Sequence, residues 1–230
     1  MCQSCLSWSR RRFLGAAAAI IGAATLGSGA RAAGVGPDEA LQRLKAGNQK
    51  YVAGPQLCVA ELSRTRASLA MSQAPWATIL CCSDSRVAPE LIFGGLGPGE
   101  LFVARNAGNI ADTDVLGTIE YGAEHLHSQL IVVVGHERCG AVAAACDVVA
   151  KGAKLPGSIG KMVAAITPAA EAVRGQPGDF VDNAVKENAR RTALAIRKNS
   201  EIVAELEHDG KLKIAYARFD LDSGIVDFLG

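Results

Sequence analysis

Residues 129–135, QLIVVVG, hold five consecutive aliphatic side chains with no polar alternation. A strand presents successive residues to opposite faces, so a run of this kind has to be covered on both sides. WATILCC (76–82) is a second such run, and ELFVAR (100–105) and LKIAYAR (212–218) read as further strands. Between them lie helix-patterned stretches at Thr113 to Leu126, Ala141 to Val149 and Val181 to His208. Two more are expected ahead of the first strand, at Asp38 to Val52 just after Pro37 and at Glu61 to Met71 before Pro75. Strands alternating with helices predict an α/β domain with a mainly parallel central sheet, flanking helices and right-handed crossovers. The closing RFDLDSGIVDF, with Asp222, Ser223 and Gly224 as its turn, predicts a C-terminal antiparallel hairpin strand.

The first thirty-odd residues read as an address. Ser9, Arg10, Arg11, Arg12, Phe13, Leu14 and Gly15 form a twin-arginine pattern, followed by an Ala-rich apolar run from Ala16 to Gly29 and a cleavage-like Ala30, Arg31, Ala32. The run is too short and too rich in Ala and Gly for a comfortable membrane span. The expectation is a removable signal over 1–32 and a periplasmic domain over 33–230, with no stable membrane insertion after cleavage; an uncleaved anchor is the alternative. A formal charge of +1 across 230 residues shows none of the basic surplus that nucleic-acid binding requires. Of seven cysteines, five remain beyond the signal: Cys58, Cys81, Cys82, Cys139 and Cys146. That odd number argues against a simple disulfide framework, and thiols in an oxidising compartment are protected when a metal occupies them.

Chemistry-bearing residues gather at two strand ends. One is Cys82, Ser83, Asp84, Ser85, Arg86; the other is Gly135, His136, Glu137, Arg138, Cys139, Gly140. Ligands of open parallel sheets collect at the carboxyl ends of strands. His136 and Cys139, three apart at the opening of a helix, can face one side. Either motif alone is an ordinary core pattern. Together Cys82, His136 and Cys139 offer two thiolates and an imidazole, a set suited to zinc with one tetrahedral position left. Asp84 lies on the same side of extended chain as Cys82 and is the candidate fourth metal ligand. Arg86 can instead hold Asp84 in a bidentate pair, which leaves that position to water. A purely structural zinc with four protein ligands stays open at this point.

CSDSR followed about fifty residues later by HERCG resembles the paired signature of the β-class carbonic anhydrases. GNQKYVAG, GELFVARNAGN, IEYGAEHL and FDLDSGIV resemble family segments in the same order. The resemblance implies one zinc per subunit on Cys82, His136 and Cys139, with Asp84 and Arg86 as the dyad that gates the site and orients the attacking oxygen. It also implies Gln73 as the hydrogen-bond donor to bicarbonate, and Phe102, Tyr121 and Gly140 as substrate-binding positions, Tyr121 from a neighbouring subunit. The implied reaction is hydration of carbon dioxide to bicarbonate by a homodimer or a dimer of dimers. Hydrolysis of carbonyl sulfide or carbon disulfide on the same fold, and a non-enzymatic zinc protein, are the competing readings. Asp84, Arg86 and Gln73 together weigh against the last, because a structural site needs neither a gate nor a substrate donor. Ala107, Tyr216 and Ile79 depart from residues that some members carry, and none of the three is an implied ligand.

Overall fold

The computed structural model describes residues 35–54 and 69–230. The expected signal, Cys58 and all but the last three residues of the expected helix Glu61 to Met71 lie outside them. The chain runs α1 (Pro37–Val52), β1 (Ala77–Cys82), α2 (Pro89–Ile92), β2 (Leu101–Asn106), α3 (Thr113–Glu124), β3 (Leu130–His136) and α4 (Gly140–Lys151). It continues through α5 (Gly157–Ala164), α6 (Thr167–Ala172), α7 (Phe180–Asn199), α8 (Glu201–His208), β4 (Lys213–Phe219) and β5 (Val226–Phe228). No helix among the described residues is long and apolar enough to cross a membrane.

The strands lie in the order β2-β1-β3-β4-β5; the first four are parallel and β5 turns back antiparallel on β4. From β1 the chain moves outward to β2, and it then returns across the sheet to β3 and proceeds the other way. The carboxyl ends of β1 and β3 therefore flank the point where strand order reverses, the crevice where open α/β sheets bind ligands. Cys81 pairs with Val134, so Cys82 and His136 end neighbouring strands at the same edge.

Both central strands are buried along their whole length. On one face Ile79, Cys81, Val132, Val134 and Ala217 pack with Leu44 of α1 and with Phe93 and Phe219. On the other, Leu80, Ile131, Val133 and Ile214 pack with Ile119 and Ala123 of α3, Ala193 and Ile196 of α7, and Val203 of α8. Each fully buried Ile or Leu contributes about 1.5–3 kcal/mol relative to leaving it in water. A third cluster joins Cys82 and Cys139 to Val142 and Cys146 of α4 and to Ile166. Cys82 and Cys139 are thus packed into a wall of apolar side chains.

One expectation is corrected. Val181 to His208 is two helices, because Ser200 leaves the helical region (φ −119°, ψ 110°) and its hydroxyl accepts the amide of Val203 to cap α8. The short helices α2, α5 and α6 carry too little apolar periodicity, among Gly and Pro, to be read from sequence.

Candidate metal centre

Cys82 closes β1, His136 closes β3 and Cys139 is the N-cap residue of α4. All three are buried, and one donor atom from each lies within 4.8 Å of the others. The two sulfurs are 3.9 Å apart. His136 Nδ1 lies 2.9 Å from the carbonyl of Glu137, a bond that puts the proton on Nδ1 and leaves Nε2 as a bare lone pair. That Nε2 is buried and has no hydrogen-bond partner. A buried polar atom without a partner costs folding free energy, and here it faces two sulfurs.

The electrostatics separate the two thiols. In the metal-free protein the Cys139 thiol donates to Cys82, which against the opposing effect of burial brings Cys82 down to about 4. Further donors, among them the Gly108 amide 3.4 Å from the Cys82 sulfur, act in the same direction. Cys139 is pushed up, first because it is that donor and then by burial, while the Val142 and Ala141 amides at the start of α4 pull the other way. The sulfurs therefore share one proton, which a cation would displace.

Beside this cluster Asp84 is gripped by Arg86. Nε donates to Oδ1 at 2.9 Å, Nη2 to Oδ2 at 2.7 Å, and the Arg86 amide to Oδ1 at 3.0 Å. These bonds hold the Asp84 carboxyl well below the usual carboxylate range despite some burial. Oδ2 stands 3.8 Å from His136 Nε2. Asp84 is not one of the three clustered ligands, and its oxygens are taken by Arg86.

A model of the carbonic anhydrase family matches residues 77–226. The chain belongs to the β-class carbonic anhydrases. It is 37% identical over 188 residues to carbonic anhydrase 2 of Mycobacterium tuberculosis, covering 82% of this chain and 90% of that protein. The carbonic anhydrase of Mycolicibacterium smegmatis is 35% identical over 191 residues, covering 83% of this chain and 92% of that protein. Among solved structures, the β-carbonic anhydrase of Coccomyxa in complex with acetazolamide superposes with a TM-score of 0.65 at 28% identity, over 82% of this chain and 86% of that one. A tetrameric β-carbonic anhydrase of Sordaria macrospora gives 0.65 at 26%, over 73% and 87%.

Zinc is the metal of this β-carbonic anhydrase, and the residues present fit it. Two sulfurs and the partnerless Nε2 form the borderline-soft donor set that zinc favours. The remaining expected site residues are spread around this centre. Gly140 opens α4, and a Cβ there would meet nothing within 4 Å. Phe102 lies on the edge strand β2 with its ring 6.1 Å from that of Tyr121 on α3. Tyr121 is 49% exposed. Gln73 is exposed on the segment that enters β1.

Three residues without an expected role shape the site. Arg105 on β2 donates to the carbonyl of Cys82 at 2.9 and 3.1 Å and to that of Asp84 at 2.7 Å, fixing the backbone between ligand and gate. Gly108 aims its amide at Cys82; its φ is +81°, and a Cβ would come within 2.4 Å of Ile166, so both conformation and space demand glycine. Asn188, buried on α7, donates to the Gly108 carbonyl at 2.8 Å and steadies that loop. Arg105 and Gly108 lie in the family-like segment GELFVARNAGN and Asn188 in a helix-patterned stretch, but nothing local marks the contacts they make.

Proposed function

We propose that this chain hydrates carbon dioxide to bicarbonate and a proton at the centre formed by Cys82, His136, Cys139, Asp84 and Arg86. Zinc held there supplies a Lewis acid that makes water a nucleophile near neutral pH. The observation that carries the reading is an ionised, bidentately fixed Asp84 placed 3.8 Å from a metal-directed imidazole nitrogen. Held below the usual carboxylate range, Asp84 is an acceptor throughout the neutral range. It accepts the hydrogen bond of the attacking oxygen and so aims that oxygen's lone pair at the substrate. By holding both carboxylate oxygens, Arg86 would keep Asp84 off a metal carried by Cys82, His136 and Cys139, leaving it free to orient the attacking oxygen. Gly140 leaves space beside Cys139; Phe102 and Tyr121 wall the small apolar site, and Gln73 donates to bicarbonate.

The working form is a homodimer or a dimer of dimers, in which a second subunit covers Tyr121 and completes the pocket; the Sordaria macrospora relatives are tetrameric. Residues 1–32 direct export by the twin-arginine route, and the domain from residue 33 works in the periplasm. The twin-arginine motif at 10–11, ahead of an Ala-rich run, supports that placement.

Stopped-flow carbon dioxide hydration by the zinc-loaded protein, beside Asp84→Ala, tests the activity. Hydration that rises from pH 7 to pH 8.5 and falls about a hundredfold in the variant is expected, the size of a lost acid–base or orienting group. Full zinc occupancy without hydration at either pH would overturn the assignment.

A further inference from the structure

We propose that Arg138 and Asp222 are positioning residues that lock the Asp84–Arg86 pair from the C-terminal hairpin, a role that rests on carbon dioxide hydration at this centre. Asp222 lies in the turn between β4 and β5, 84 positions along the chain from Arg138. The two are joined as a fork, Nη1 to Oδ2 at 2.9 Å and Nη2 to Oδ1 at 2.7 Å. The main-chain carbonyl of Arg138 lies 3.5 Å from Arg86 Nη2, the same nitrogen that donates to Asp84 Oδ2 at 2.7 Å. Arg86 is thus held between the carboxylate it controls and a carbonyl whose place is set by the hairpin.

Two further observations separate this arrangement from an ordinary surface ion pair. Arg138 has φ +52°, a left-handed conformation that glycine or asparagine adopts at less cost. An arginine in that conformation carries backbone strain, which its side-chain fork offsets. The turn bearing Asp222 is itself rigid: Asp220 Oδ1 accepts from the amides of Asp222 and Ser223 and from the Ser223 hydroxyl, while Arg218 grips Oδ2. Glu137 Oε2, next to Arg138, accepts the Leu221 amide at 3.1 Å and ties the same two segments a second time.

The test is Asp222→Ala in the full zinc-loaded chain. Its kcat for hydration falls about tenfold with KM within about twofold, the cost of a misplaced group rather than of lost binding. On an Arg86→Ala background the same substitution changes kcat by less than about twofold. In the cobalt(II)-loaded protein, azide titrated against the visible bands half-saturates at about tenfold higher concentration in Asp222→Ala, because a released Asp84 competes for the open position. Unchanged azide affinity, or a tenfold loss that persists without Arg86, overturns the proposal. Arg138→Gly controls for folding: it relieves the backbone and keeps or raises Tm, yet shifts kcat and azide affinity as Asp222→Ala does. A lower Tm with both readouts unchanged would mark a purely structural ion pair and overturn it. A zinc-loaded wild type that hydrates no carbon dioxide would sink the substrate reading alone, and the azide titration would still decide the locking role.

Discussion

Cys81 and Cys82 are adjacent in the chain and chemically opposed. Both are buried on β1. Cys81 faces the aliphatic and aromatic layer of Ile79, Val134 and Phe93, where burial, partly opposed by Arg105, pushes its thiol up to about 12. Cys82 faces Cys139 and α4, where the Cys139 thiol and other donors bring it to about 4 against the same desolvation. Burial alone makes a thiol inert; burial with donors makes a metal-ready thiolate. Strand alternation decides which residue receives which surroundings.

The comparison breaks most completely at Cys82. Cys82→Ser should take bound zinc from one per subunit to near zero, measured by elemental analysis, and lower hydration by at least about a thousandfold, since a three-ligand site loses a thiolate. Alkylation sharpens the contrast. In metal-free protein at pH 6, a pH above the Cys82 value and far below that of Cys81, Cys82 is thiolate and Cys81 is thiol. Iodoacetamide followed by peptide mass spectrometry should label Cys82 on the order of a hundredfold faster than Cys81, the gain in thiolate fraction outweighing the lower nucleophilicity of an acidic thiol. Zinc should abolish that difference by protecting Cys82. Arg105→Ala, which releases the Cys82 and Asp84 carbonyls together, should lower kcat about tenfold with zinc still bound, read by hydration kinetics beside metal content. Cys81→Ala should be the mildest change: zinc and kcat within about twofold, and a loss of about 1 kcal/mol in denaturant unfolding from a small cavity.

The layered sheet was legible because unbroken apolar runs at 76–82 and 129–135 admit only a two-sided cover, and residue types at their ends pointed to a zinc-binding trio. Arg105 carries no local signal, because its role appears only when β2 pairs with β1, setting Arg105 opposite Cys81. Asn188 was hidden for a similar reason, as a polar residue in a charged helix whose partner, Gly108, lies 80 positions away. The break at Ser200 had a local signal, a serine able to cap α8, but the surrounding periodicity runs through it. Short motifs at strand ends show in the sequence; a role that depends on which elements pair does not.

The two sulfur ligands are 57 positions apart. A zinc ion gripped by both is a cross-link over that whole loop, and chain-entropy arguments for a covalent bridge of comparable span give about 4 kcal/mol. Unlike a disulfide, this bridge yields to a chelator instead of a reductant. Sequestering the metal would therefore do more than stop turnover: it would restore to the unfolded chain the freedom of a loop carrying β2, α3 and β3, so that inhibition and loss of fold stability arrive as one event.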